Sequence, residues 1–284
     1  MSRLSAPTGS FTSAANAASR WGAGRAHPAL RQRSGTGTRL LGVLAGVLGF
    51  FSPHRQFVLC PGGGHTYAVG TVWTQQILSL IYHEGHLNKT ENLQTVDRAP
   101  WLEYNWKKVD FEKRPSPRLI TTHLPYYLVP KGLKTKKAKV IYVTRNPKDN
   151  LASYFHFNNM LRRVEENPTS VMEEHFEDYL NGKVASSSWF DHVKGWHTHK
   201  DEFNILFLQY EDMVKDLRGA VLKICSFVGK GMDDQTVDTI VERATFKNMK
   251  KDETANYETL EQTGTAKPLT FLRKGNDQTI VGNY

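Results

Sequence analysis

The chain has 284 residues, 39% hydrophobic and 23% charged, so it is apolar enough to bury a core of domain size and is not an obligately disordered polymer. Its two cysteines, Cys60 and Cys225, exclude a disulfide framework and a zinc cluster, and read as packing residues of a reducing compartment. The net charge of +9 favours an anionic partner (nucleic acid, an acidic membrane surface or a phosphorylated small molecule) without choosing among them.

Residues 1–65 differ in texture from the rest. No Asp or Glu precedes Glu84, and Arg3, Arg20, Arg25, Arg31, Arg33, Arg39 and Arg55 stand among Ser, Ala, Gly and Thr. Arg-rich, acid-free composition resembles a mitochondrial transit peptide. The apolar run Leu40–Phe51 is shorter than the roughly 20 residues a bilayer-spanning helix needs. A disordered or non-native leader, an organelle address and a membrane anchor all stay open at this point. Pro61 with Gly62–Gly64 marks a joint. The expected organisation is a divergent, disordered basic leader over 1–65 and a folded domain over 66–284.

Beyond the joint, Thr71–His83 carries apolar residues at helical spacing. Arg118–Thr122 predicts a short strand, closed by Pro125, and Lys139–Thr144 (KVIYVT) predicts a buried parallel strand. Asn146-Pro147 opens a helix, with Pro at its first position and Asp149 in its first turn. Helices follow around 170–181 and 187–200. Phe203–Gln209 (FNILFLQ) predicts another buried strand, with helices near 212–228 and 233–243 after it. Strands alternating with helices make an α/β fold with a mostly parallel sheet.

Ligands of such sheets bind beyond the carboxyl ends of the strands. Arg145 follows a strand directly, its planar fork suits phosphate, and Ser153 lies two turns into the next helix. The alternative is a surface Arg paired with Asp149. His123, in Thr121-Thr122-His123-Leu124-Pro125, also ends a strand. It is either a satisfied structural histidine or a general base, since imidazole titrates near working pH. Gly70 and Thr71 open a helix whose free N–H groups suit an anion, but no Walker lysine is present. Trp73 is either a stacking platform for a base or a core residue. Near the end, Arg273, Lys274 and Gly275 combine two cations with a backbone that a phosphate can approach closely, although such charge runs are usually solvated surface.

Taken in order, GTVWTQQILSLI, THLP, VTRNPKDNLASYFHF, FLQYEDM, TFKNMKKD and FLRKG resemble the cytosolic sulfotransferases, from about Tyr67 to Gly275. The resemblance implies a P-loop-like, mostly parallel sheet flanked by helices. It also implies a co-substrate, 3′-phosphoadenosine 5′-phosphosulfate (PAPS), whose sulfuryl group passes to a hydroxyl or amine of a small molecule. By matched position, His123 becomes the general base, and Arg145 with Ser153 binds the 3′-phosphate, which Arg273, Lys274 and Gly275 clamp from another side. Gly70, Thr71 and Trp73 match the loop that holds the 5′-phosphosulfate and adenine, and Tyr210, Thr245 and Phe246 the rest of the nucleotide pocket. No metal, nucleic acid or stable membrane insertion is expected. A cytoplasmic location is expected, with a mitochondrial one as the alternative.

The sequence departs from the family in three places. The family's Tyr-Pro-Lys-Ser-Gly-Thr-Thr-Trp loop reads here Tyr-Ala-Val-Gly-Thr-Val-Trp, without its Lys and Ser. Thr121 stands where a Lys is common. The ending Asn276–Tyr284 lacks the usual basic segment and dimer contact motif, so the family homodimer is not expected. The first strand of the sheet has only Gly64–Val69 or Gln56–Cys60 as candidates. Two functions follow: a PAPS-dependent sulfotransferase, or a catalytically impaired isoform that binds nucleotide or small hydroxyl ligands without transfer.

Overall fold

A computed structural model describes residues 55–59, 70–87, 90–103, 105, 107–135, 138–162, 172–184, 188–256 and 272, without the side chains of 55–59, 157–162 and 172–174. They belong to one compact unit, Val43–Tyr284. Arg273, Lys274, Gly275, the apolar run Leu40–Phe51 and the joint at 61–64 lie outside the described residues.

The backbone of these residues forms four parallel strands. β1 is Arg55–Leu59, β2 Arg118–Thr122, β3 Lys139–Thr144 and β4 Asn204–Gln209. Their order is β2-β1-β3-β4. β1 pairs with β2 from Arg55↔Arg118 to Leu59↔Thr122, and with β3 from Gln56↔Lys139 to Leu59↔Tyr142. The strand that starts the sheet is therefore close to the second of the two candidates, and it lies within the stretch 1–65. All four strands run the same way, so their carboxyl ends share one edge.

Period-two alternation sends the strand side chains to two cores. On one face Leu119, Ile141, Val143 and Leu208 meet α1 (Thr71–Tyr82), α7 (Leu217–Val228) and α8 (Asp234–Arg243). On the other, Ile120, Val140 and Tyr142 meet Leu124, Leu133 and the Trp196 of α5 (Trp189–Thr198). Helices thus cover both faces of a parallel sheet. In α1, Ile77, Leu78, Leu80 and Ile81 are wholly buried, each stabilising the fold by roughly 1.5–3 kcal/mol. Its buried glutamines are bonded: Gln75 donates to the carbonyl of Ala99 and the hydroxyl of Thr121, and Gln76 accepts from Arg98 of α2 (Thr95–Arg98).

The remaining helices are α3 (Pro147–Arg162), α4 (Met172–Leu180), α6 (Tyr210–Lys215) and α9 (Phe246–Lys251). Two expectations need correction. The helix predicted over 212–228 is two helices, α6 and α7, because Asp216 leaves helical geometry (φ −140°, ψ 79°) and its carboxylate caps α7 through the N–H of Gly219. β4 is only half-buried along Asn204–Phe207, since it ends the described sheet order, and is not the fully buried strand its composition predicts.

Candidate active site

The carboxyl edge of the sheet collects residues from three strand ends and two helix starts. Asn146 and Pro147 turn the chain from β3 into α3: the Asn146 side chain accepts the N–H of Lys148, and its own N–H donates to Glu211 of α6. This turn holds Arg145 with its guanidinium carbon 4.3 Å from the ring centre of Tyr210, the first residue of α6 after β4. The same guanidinium donates to the hydroxyl of Ser153 at 3.2 Å.

Tyr210 is also the floor beneath the start of α1. Gly70 caps that helix at φ 79°, and a Cβ there would lie 2.7 Å from the Tyr210 ring, so only glycine lets the loop approach so closely. Trp73 meets Tyr210 edge to face at 5.5 Å. Its indole N–H donates to the carbonyl of Ala244 at 2.7 Å, which ties α1 to the turn before α9. Thr245 caps α9 through Asn248, and Phe246 beside it is 37% exposed. Gly70, Trp73, Tyr210, Arg145 and Ser153 therefore form one continuous set of contacts, with Thr245 and Phe246 next to its Trp73 end.

Next to Gly70 in the chain, the hydroxyl of Thr71 is buried with no hydrogen-bond partner among the described residues. It stands in the first turn of a 12-residue helix, where the backbone N–H groups have no acceptor within the helix. An orphaned hydroxyl costs free energy unless something accepts or donates to it, and a phosphate or sulfate oxygen is suited to do so. The residues present fit the anionic end of a nucleotide.

His123 ends β2 on the same edge. It is 1% exposed, and its ring stacks on Trp101 at 4.4 Å. Its Nδ1 lies 3.1 Å from the Glu103 carboxylate, which also accepts the backbone N–H of His123. Its Nε2 is buried with no partner among the described residues. Behind it, His192 of α5 donates from Nε2 to the carbonyl of His123, and accepts at Nδ1 from the hydroxyl of Tyr142. Burial pushes His192 down to about 4, so it stays neutral in this relay. Thr121, two residues before His123, gives its hydroxyl to the carbonyl of Ala99 and accepts from Gln75. Glu103, Trp101, Tyr142 and His192 are absent from the sequence-level site. No local spacing links Glu103 to His123, twenty residues on; the parallel pairing of Trp101 with Thr121 does.

A family model described as the sulfotransferase domain matches residues 68–279. The amine sulfotransferase of Oryctolagus cuniculus is 57% identical over 209 residues, 72% of this chain and 69% of that protein. The chain belongs to the sulfotransferase family. Its fold is the sulfotransferase fold: retinol dehydratase in complex with retinol and PAP superposes with a TM-score of 0.71 at 24% identity, covering 84% of this chain and 79% of that one. A mouse sulfotransferase complexed with PAP gives 0.56 at 28% identity, covering 73% and 70%. Sulfuryl transfer is the general reaction of this family.

Proposed function

We propose that this chain binds PAPS at the carboxyl edge of its sheet and transfers the sulfuryl group to a hydroxyl or amine of a small molecule, with His123 as general base. The observation that carries this reading is the convergence of an anion-ready helix start, an arginine and a histidine on one edge. Gly70 and Thr71 open α1 toward the 5′-phosphosulfate. Trp73, Tyr210, Thr245 and Phe246 border the adenine. Arg145 and Ser153 take the 3′-phosphate, with Arg273, Lys274 and Gly275 as its second clamp.

The acceptor oxygen or nitrogen attacks sulfur, and its proton passes to Nε2 of His123. The bond from sulfur to the 5′-phosphate oxygen breaks, and adenosine 3′,5′-bisphosphate (PAP) leaves with the electron pair. Such in-line transfer asks mainly for positioning and charge stabilisation. The mouse sulfotransferase complexed with PAP supports PAPS as donor, and the names of the rabbit amine sulfotransferase and of a 3-beta-hydroxysteroid sulfotransferase of Cavia porcellus support amines beside hydroxyl compounds as acceptors.

The test is a thermal-shift titration with PAP, followed by a sulfate-transfer assay over phenols, steroids and amines. PAP should raise the unfolding midpoint. His123→Ala should keep that rise and lose transfer by roughly 100- to 10,000-fold, the usual contribution of a general base. No response to PAP overturns the nucleotide site, and full transfer in His123→Ala overturns the base.

One observation favours a second reading, nucleotide binding with impaired transfer. The loop before Gly70 holds no Lys, and Thr121, in the other cationic position, has a neutral hydroxyl committed to Ala99 and Gln75. Losing one such electrostatic group costs roughly 100- to 1000-fold in rate. Protection by PAP without transfer to any acceptor in the panel would establish this reading in place of the first.

A further inference from the structure

We infer that Glu103 is the positioning residue of the sulfuryl-transfer site: it holds His123 as the Nδ1–H tautomer and leaves Nε2 as the unprotonated nitrogen that takes the acceptor's proton. The inference rests on the reading of His123 as base and deepens it. Residues 100–102 run beside β2: Leu102 N–H donates to the carbonyl of Thr121, and Thr121 N–H donates to the carbonyl of Pro100. This pairing sets Trp101 and Glu103 against His123. One carboxylate oxygen of Glu103 then accepts both the backbone N–H and the ring Nδ1–H of His123.

Both side chains are almost fully buried, Glu103 at 5% and His123 at 1% exposure. A buried carboxylate needs donors or a cation, and among the described residues His123 supplies two donors from one residue. The bond from Nδ1 decides the tautomer, because a neutral imidazole carries one N–H and that N–H goes to the acceptor. Trp101 stacks on the ring face and His192 bonds the backbone carbonyl, and a half-turn of the imidazole would give up its bond to Glu103. When Nε2 takes the acceptor's proton, the positive imidazolium forms beside the Glu103 charge, which stabilises it.

The test is ring 15N NMR of the full chain at neutral pH, read beside kcat and KM, in the native protein, Glu103→Gln and Glu103→Ala. The native His123 should show a protonated Nδ1 and a bare Nε2. Glu103→Ala should lose that pattern and lower kcat on the order of 100-fold or more, with the KM for PAPS and the PAP thermal shift unchanged. Glu103→Gln keeps an accepting oxygen but no charge, so it should retain the tautomer and lower kcat by a smaller factor. A native His123 protonated at Nε2 overturns the inference, as does an unchanged kcat in Glu103→Gln together with an unchanged tautomer in Glu103→Ala. If Glu103→Ala does not fold, the native spectrum and Glu103→Gln still decide. The NMR readout does not depend on turnover, so a protein whose base lies elsewhere, shown by an active His123→Ala, remains distinguishable from one in which Glu103 does not hold the ring.

Discussion

Gly70 shows how one residue couples stability to the site. Its positive φ costs an L side chain about 1–2 kcal/mol, and the new Cβ would also push on the Tyr210 ring 2.7 Å away. That ring carries Arg145 on its face and meets Trp73 at its edge. Gly70→Ala should therefore lower the unfolding midpoint and also shrink the rise produced by PAP, both read in one thermal-shift series. A lower midpoint with an unchanged PAP rise would separate Gly70 from the nucleotide pocket. The nearness of Arg145 to Ser153 was legible in the sequence because the strand end and the Pro147 helix start are local signals and the two residues are eight positions apart. The Arg145–Tyr210 contact was not, because it joins the ends of two different strands.

At the scale of elements, β1 carries the most. It stands between β2 and β3, pairing over five positions on one side and four on the other. Without it two strand edges lose their partners, and an unpaired buried N–H or carbonyl costs about as much as a lost hydrogen bond. A chain beginning at residue 66 should therefore fail to unfold cooperatively, and should be cut by protease far faster than the full chain. A sharp two-state melt of that fragment would show that β1 is dispensable. Composition concealed this strand. Arg55–Leu59 is five residues long and lies between an acid-free, Arg-rich stretch and a glycine run, so it reads poorly beside KVIYVT. The break between α6 and α7 is a smaller instance: apolar periodicity continues across Asp216, while its carboxylate ends one helix and starts the next.

Across the whole molecule, one buried imidazole makes stability depend on pH. His192 lies between α5, Tyr142 of β3 and the carbonyl of His123, and burial holds it at about 4, against an ordinary value near 6.5. The unfolded chain binds that proton first, so stability is full above about pH 6.5 and falls as pH drops toward 4. The loss from this group is roughly 3 kcal/mol across the window, at most about 1.4 kcal/mol per pH unit. Denaturant melts between pH 7 and 4 should show it, and His192→Gln, which keeps a donor for the carbonyl of His123, should flatten that slope. An unchanged slope would place the acid sensitivity elsewhere.

By itself the sequence determined the fold class, the helix starts at Gly70 and Pro147, the strands β2 and β3, and the order of motifs that marks a sulfotransferase. Each of these is written within a window of some fifteen residues, as a period, a cap or a short run of side chains. The tertiary structure alone decided that β1 completes the sheet, that Tyr210 lies under Arg145 and against Gly70, and that Glu103 sits on His123. Those relations depend on parallel pairing between segments tens of residues apart, and a parallel sheet leaves no trace of its strand neighbours in the local pattern of either strand.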